Sequence, residues 1–528
     1  MKTTIAFTLV LTAAPAWAEG GKDAASLFAS AVEPASRGAI DRAVLGRLKE
    51  LGIRPAKVCT DEVFLRRAYL DVIGTLPTAA EARAFLRDGS PDKRSVLIDR
   101  LLKRKEFAVY WAMKWSDLLR VKAEFPINLW PNATQAYYVW IRTSLRDDMP
   151  YDRFVRAQLT ASGSNFRVGP VNFYRALQSK DPNAFAQKVA LTFMGMRAGK
   201  WDQQRLAGMA AFFSEIGFKR TDEWKEEVVY FDAVKAAKDA ASGKLKTGVF
   251  PDGTRVALSA EADPRAVFAD WLITPKNRWF ARNIVNRVWY WLMGRGIVHE
   301  ADDVRPDNPP ANPELLGLLA KELVAGRYDL KHVCRLILNS TTYQLSSVPR
   351  SRDANAAANF AFYPVRRLEA EVLIDALCQI TGTTEQYSSR IPEPFTFIPE
   401  ERRTIALPDG SITSSFLEMF GRPPRDTGLA SERNNNPSAA QRLHLLNSSH
   451  IRNKFEKSVK LRPLLRWPKG GPRPAVTGLY LTILSRHPTE EELKTVEAYS
   501  KSKETSGRNA LIDLAWALTN SSEFLYRH

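Results

Sequence analysis

The sequence predicts a mainly α protein, built as two packed helical domains with a short β-hairpin near their junction. Three observations predict it. Apolar residues recur at three-and-four spacing along most of the chain, as in Phe280, Ala281, Ile284, Val285, Val288, Trp289 and Leu292. Helix-start signals punctuate the pattern, such as Thr78 followed three residues later by Glu81, a capping box. The 528 residues are 45% apolar, enough for two to four domains with ordinary cores.

The elements follow in order. Residues 1–18 read as a secretory signal: Lys2 is charged, Ile5–Thr12 apolar, and Ala16-Trp17-Ala18 a small-residue cleavage site. Residues 19–37 are small and polar, a linker. Ala39–Leu51 is a short helix. Asp61 opens another through Phe64, Leu65, Ala68, Tyr69 and Val72, ended by Gly74-Thr75-Leu76-Pro77. Thr78 caps the next, and Ser90-Pro91-Asp92 starts one that continues towards Leu119. Helices open at Pro150-Tyr151-Asp152 and at Asp181-Pro182. Val249–Val256, centred on Pro251-Asp252-Gly253, has the grammar of a hairpin. Helices follow over 263–273, 280–292, 314–323, 330–338, 368–380, 439–447 and 450–459, and Gln386–Ser415 is irregular. The expected division is 1–18 signal, 19–37 linker, 38–240 first helical domain, 241–262 hairpin and linker, 263–528 second helical domain.

One pattern repeats. Tyr69-Leu70, Pro77-Thr78 and Glu81 share their spacing with Tyr480-Leu481, Pro488-Thr489 and Glu492. Arg94, Leu97-Ile98-Asp99 and Glu106-Phe107 resemble Arg508, Leu511-Ile512-Asp513 and Glu523-Phe524. Two similar three-helix units are expected, one near each end. Two copies do not make a solenoid.

The formal charge is +18. No Lys/Arg block exceeds three or four residues, so the charge reads first as dispersed over the surface; the alternative for an exported protein this basic is an anionic partner, whether anionic polysaccharide or an envelope protein, and export argues against nucleic acid. No apolar run reaches 18 residues, so no transmembrane segment is expected, and the mature chain is placed in the periplasm or outside the cell after cleavage near Ala18. The three cysteines, Cys59, Cys334 and Cys378, lie in or beside apolar helical patterns and read as buried small hydrophobes, with one disulfide plus a free thiol as the alternative.

Chemical signatures are sparse. Covalent c-type heme needs Cys-x-x-Cys-His, which does not occur, so no cofactor is expected. Asp302, Asp303 and Asp307 are weak candidates for a Ca²⁺ site, though an acidic turn capping the helix near Glu314 accounts for the same residues. His444 and His450 are six residues apart, which does not place them on one face of a helix. There is no H-E-x-x-H zinc motif and no G-x-S-x-G elbow. Glu432, Arg433 and Asn434 open a polar stretch that is a candidate binding loop, with a plain surface loop as the alternative. Arg366-Arg367 suggests an anion site or local ion pairing. Within the aromatic helix 280–292, Asn283, Asn286 and Arg287 are expected to satisfy neighbouring backbone groups.

Longer motifs carry a resemblance. Phe64-Leu-Arg-Arg-Ala-Tyr-Leu-Asp-Val-Ile-Gly-Thr-Leu-Pro-Thr78, Pro91-Asp-Lys-Arg94 and Leu97-Ile-Asp-Arg-Leu101 resemble domain of unknown function 1549, the planctomycete cytochrome-associated family. Phe280–Trp289, Gly294-Arg-Gly-Ile-Val298, Asn308-Pro-Pro310, Thr342-Tyr-Gln-Leu-Ser346, Pro364-Val-Arg-Arg-Leu368 and Leu443-His-Leu-Leu-Asn447 resemble its companion, domain of unknown function 1553. The resemblance implies export, a helical fold and frequent linkage to c-type cytochromes. It also implies Cys-x-x-Cys-His after Phe193-Met194-Gly195 and Cys-x-Cys before Glu432-Arg433. Here Met196–Trp201 and Leu429-Ala430-Ser431 stand there instead, without cysteine. The expected function is therefore that of an exported binding or scaffold protein without the family's heme motif. The alternative is an extracytoplasmic enzyme or accessory subunit acting on anionic polysaccharide, for which the aromatic segment Trp111–Trp140 speaks.

Overall fold

The computed structural model describes residues 27–243, 246–398, 400–465, 471–501 and 507–528. The signal-peptide reading of 1–18 lies outside the described residues. Helices of eight residues or more begin with α1 Ala39–Glu50, α2 Asp61–Ile73, α3 Ala79–Arg87, α4 Lys93–Lys103 and α5 Lys105–Leu119. There follow α6 Pro131–Arg146, α7 Tyr151–Thr160, α8 Pro182–Val189, α9 Gln203–Ala210, α10 Ala233–Ala241 and α11 Pro264–Leu272. The second half adds α12 Phe280–Met293, α13 Pro313–Ala325, α14 Leu330–Asn339, α15 Ala370–Thr381, α16 Ala439–Asn447 and α17 Ser449–Glu456. It closes with α18 Arg473–Ile483, α19 Glu490–Ser500 and α20 Gly507–Asn520.

The mainly α class is as the periodicity indicates. The hairpin near the junction is present: β4 Thr247–Val249 pairs antiparallel with β5 Arg255–Ala257, in the register Thr247↔Ala257. A second small sheet is not legible from sequence. Its order is β1-β3-β2, from Gly163–Ser164, Glu227–Phe231 and Ile216–Arg220. These strands are short and only Val229 of β3 is fully buried, so they carry little alternation to read. The expected run from Ser90 to Leu119 is broken at Arg104. Its backbone turns extended while its guanidinium is held by Glu81 at 2.9 Å and Glu106 at 2.7 Å. Nor do the described residues of the expected linker hang free: Phe28 is buried against the ring of His528, and Ser30 N donates to Val58 O at 2.8 Å.

The two halves of the chain interleave. α1 packs on α13, α4 on α14, α2 on α12 and α3 on α18, and one apolar cluster runs through both halves. The repeated pattern corresponds to repeated structure. Thr78–Glu81 and Thr489–Glu492 are both complete capping boxes. Arg104 stands 5.7 Å over the Tyr69 ring, and Arg486 stands 5.1 Å over Tyr480 while pairing with Glu492 and Glu523, both at 2.7 Å. The two units make the same arginine–tyrosine–diglutamate cage. They draw the arginine from different places, after α4 in one and before α19 in the other.

The chain's far ends meet at a buried ionic centre. Asp71 of α2 accepts from Tyr343 Oη at 2.9 Å, Tyr363 Oη at 2.8 Å and Arg366 Nη2 at 2.9 Å. Arg527 reaches Asp71 at 3.3 Å and pairs more closely with Glu369, which also holds Lys114 at 3.2 Å. The strands β6 Arg366–Arg367 and β7 Tyr526–Arg527 present these arginines side by side. Burial pushes the Glu369 carboxyl up, but Arg527 and Lys114 pull it further down, well below the usual range. Its contribution to stability is thus present above the unfolded-state pKa and lost as pH falls through the lower folded-state value. Glu369→Gln leaves two buried cations short of a counter-charge. It is expected to lower unfolding free energy by about 3–5 kcal/mol at neutral pH. Urea melts at several pH values should show this loss shrinking in acid.

Candidate functional site

The polar residues of α12 shape the region that the sequence singles out. Asn283 Nδ2 donates to Thr192 O at 3.1 Å and Arg287 Nη2 to Leu191 O at 2.9 Å. Asn286 exchanges two hydrogen bonds with Val298, at 3.0 and 2.9 Å. They satisfy neighbouring backbone, as expected, and in doing so fix the turn at Gly195. Gly195 has φ +68, and a Cβ there would stand 2.5 Å from Asn283 Oδ1. Only glycine meets both conditions.

Beyond this turn lies the segment 196–201, and across from it the segment 429–431, where the resemblance leads cysteines to be expected. They meet at one side chain. Asp302 is fully buried; its Oδ1 accepts from Arg197 Nη2 at 3.0 Å and its Oδ2 from Ala430 N at 2.8 Å. Arg197 also binds Glu300 at 2.5 Å, and these carboxylates raise its pKa against the opposing effect of burial. Arg197, Asp302 and Ala430 N form a charge-assisted tie between three segments.

The acidic turn does not converge. Asp302 points inward to Arg197, whereas Asp303 and Asp307 both pair with Arg305, at 3.2 and 3.0 Å. Among the described residues, no group of three or more His, Cys, Asp or Glu side chains is arranged to hold a metal ion. The stretch Glu432-Arg433-Asn434 divides its side chains in the same way. Glu432 accepts from the backbone of Asp426 at 2.7 Å and Thr427 at 3.2 Å. Arg433 turns inward to Glu371 and Asp117, each at 2.7 Å. Asn434 is exposed, but its carbonyl takes Arg367 at 3.4 Å. Arg366 and Arg367 have distant partners, Asp71 for one and the Phe420 carbonyl and Gln441 for the other, rather than the local acids the sequence suggests. All three cysteines are free.

The aromatic segment corrects another expectation. Trp111, Trp115, Tyr137 and Tyr138 are core residues, and the segment as a whole does not form a surface. What does face outward is a small set sequence reasoning did not join. Trp130, at the start of α6, has φ 73, a region that non-glycine residues seldom occupy. Its ring lies 5.5 Å from Phe395, and Lys225 stands 5.8 Å over it. Beside them Phe397 is 73% exposed, and a groove of about 270 Å³ runs past Phe395, Phe397, Gln135 and Arg402. A neighbouring groove of about 420 Å³, past Arg390 and Phe125, shares the segment 408–413. Among the described residues, Lys225, Arg390 and Arg402 have no carboxylate partner. Of the acids here, Glu418 lines the second groove and is exposed, while two others are engaged by the protein. Asp409 is buried and accepts from Ala123 N at 2.9 Å and Ser411 N at 2.8 Å, while Glu124 accepts from Arg390 N at 3.0 Å. A third recess, about 590 Å³, lies by Asp61, Lys93 and Arg94, and there the cations are spent on Asp61 at 2.7 and 2.8 Å.

These features define a mainly α protein of two interleaved halves. Among the described residues no helix is long and apolar enough to cross a membrane. Residues 39–216 match the family model PSCyt2, a protein of unknown function (DUF1549), and residues 264–500 match PSD1, a protein of unknown function (DUF1553). The chain belongs to the family that carries these two domains in this order. No curated protein and no solved structure matches it.

The tie at Asp302 is open to a direct check. Asp302→Ala strips a buried backbone N–H and a guanidinium of their acceptor, for an expected loss of about 2–3 kcal/mol. Hydrogen exchange should place the loosening at Ala430 and Arg197; a variant that melts like the parent, with those amides still protected, would mean that the three segments hold together without it.

Proposed function

We propose that this chain is an exported, non-catalytic binding protein, and that its ligand face is the groove at Phe395, Phe397 and Arg402, with Trp130 packed behind Phe395. The ligand is an anionic polysaccharide strand. The observation that carries this reading is the combination of solvent-facing aromatic rings with cations that no protein carboxylate neutralises. Aromatic rings give the C–H faces of sugar rings a flat apolar surface, and guanidinium groups pair with carboxylate or sulfate in a fixed geometry. The two groups therefore serve the two halves of one kind of ligand.

The disposition of the acids speaks for binding over hydrolysis. Glycoside hydrolysis uses two carboxyl groups facing the scissile bond from opposite sides. Asp409 faces backbone amides, and Glu124 is engaged by Ser389 and Arg390. Burial raises the Asp409 pKa, and the residue, although it lines the groove, is only 3% exposed.

A panel of sulfated and uronic-acid glycans, with neutral glycans as controls, tests the proposal by calorimetry on the full chain. Anionic members are expected to bind with an affinity that falls as salt rises. Phe397→Ala and Arg402→Ala should each weaken binding about tenfold, equivalent to about 1.4 kcal/mol, with unchanged melting. Binding by no member of the panel, or binding indifferent to both substitutions, would sink the reading.

A further inference from the structure

Six residues separate His444 from His450, and on a continuous helix they would point apart. The chain is not continuous there. α16 stops at Asn447, and Ser448 ends it with extended backbone while accepting from Ile451 N at 3.3 Å to cap α17. The direction of the chain changes at that residue. His444, in the last turn of α16, and His450, in the first turn of α17, are thereby brought face to face, with ring centroids 5.6 Å apart.

The atoms that approach are nitrogens. His444 Nε2 and His450 Nδ1 are 3.3 Å apart. On its far side His450 Nε2 lies 2.9 Å from Glu385 Oε2. Glu385 is 5% exposed and is also held by Lys454 Nζ at 2.9 Å. Burial pushes the Glu385 carboxyl up, but His450 and Lys454 more than offset it, so the group stays ionised. An ionised carboxylate fixes the His450 proton on Nε2 and leaves the Nδ1 lone pair aimed at His444. Phe416 lies edge-on to both rings, at 5.7 and 5.8 Å, and closes one side. The His450 side chain is 32% exposed, so the other side opens to solvent.

We propose that His444 Nε2 and His450 Nδ1 together bind one divalent cation of the Zn²⁺, Cu²⁺ or Ni²⁺ class, with Glu385 as the outer partner that orients His450. Ligands about 2.05 Å from a metal and 3.3 Å from each other subtend an angle of ~107°, close to tetrahedral. The carboxylate–imidazole arrangement is the one that fixes tautomer and raises basicity at metal-bound histidines. Two imidazole donors select borderline transition cations over Ca²⁺ or Mg²⁺, which take oxygen. The cation takes the place of the proton between the rings. His444 then carries its own proton on Nδ1, and no net proton is released from the neutral pair. With two protein ligands, the remaining positions fall to water.

The chain has six histidines, and no other two are brought into ring contact among the described residues. The test is calorimetric titration of the full chain, carrying no polyhistidine tag, with Zn²⁺ and with Cu²⁺. One equivalent is expected to bind, and the Cu²⁺ complex should give an electron paramagnetic resonance signal with two nitrogen ligands. His444→Ala and His450→Ala should each weaken binding more than tenfold, and Glu385→Gln by about 10–100-fold. His444 is half-buried, so its variant should remain folded, with a melt close to that of the parent. No stoichiometric binding of either cation to the unaltered chain, or stoichiometric binding that survives both histidine substitutions, overturns the proposal: the 3.3 Å contact is then an N–H···N hydrogen bond and nothing more.

Discussion

The fold depends on carrying charge into its interior and neutralising it there. Asp71, Glu369 and Glu371 are buried acids from α2 and the start of α15, and the cations they face come from everywhere else: Lys114 of α5, Arg366, Arg433 and Arg527. An unpaired ion in such a place costs several kcal/mol, so each group can be buried only if its distant partner is already in position. That requirement makes the structure cooperative across its length. α2 cannot close its polar face until residues near 343, 363, 366 and 527 have all arrived. The two arginines next to Asp71 in the helix extend the same logic: Arg66 donates to the carbonyls of Ile483 and Phe524, and Arg67 to those of Tyr343, Leu345 and His528. One helix near the start thus gathers three segments from the second half.

This also accounts for the uneven legibility of the sequence. Helices were legible wherever burial has a period. α2 and α12 sit close to their expected limits because their apolar faces and their Thr or Gly boundaries are local properties. The capping boxes were legible for the same reason, and so was the repeat they mark. Pairings across the chain were not. Nothing within ten residues of Arg366 indicates that its partner is Asp71, and nothing near Ala430 indicates that Asp302 accepts from it. The groove was missed differently. The density of aromatics drew attention to Trp111–Trp140, yet most of those rings fill the core, and the exposed partner of Trp130 is Phe395, far along the chain in an irregular segment. The histidine pair was passed over through helical arithmetic that was sound for one helix. The extended Ser448 cap made it two.

The tie at Asp302 holds irregular segments against a helical core. Arg197 and Asp302 supply a charge-assisted hydrogen bond. Gly195 lets the backbone pass close to Asn283, Val304 N donates to Gly195 O at 2.8 Å, and Asp302 fills the gap to Ala430.

Net charge has to be reweighed in the same light. A formal +18 suggests an anionic partner, but part of that surplus never reaches the surface. Arg66 and Arg67 are almost wholly buried, and the hydrogen bonds they donate go to main-chain oxygens rather than to acidic side chains. Burial pulls Arg66 down to about 10, which still leaves it protonated at neutral pH. Counting such residues as a field for ligands overstates the attraction, since the low-dielectric interior holds them on structural duty. The positive groups that a partner can meet are those at the surface whose side chains have no carboxylate, and Lys225, Arg390 and Arg402 are three of them, near the solvent-facing rings of Phe395 and Phe397. The case for a ligand therefore rests on this one place and its local complement of groups, and it would stand unchanged if the chain as a whole were neutral.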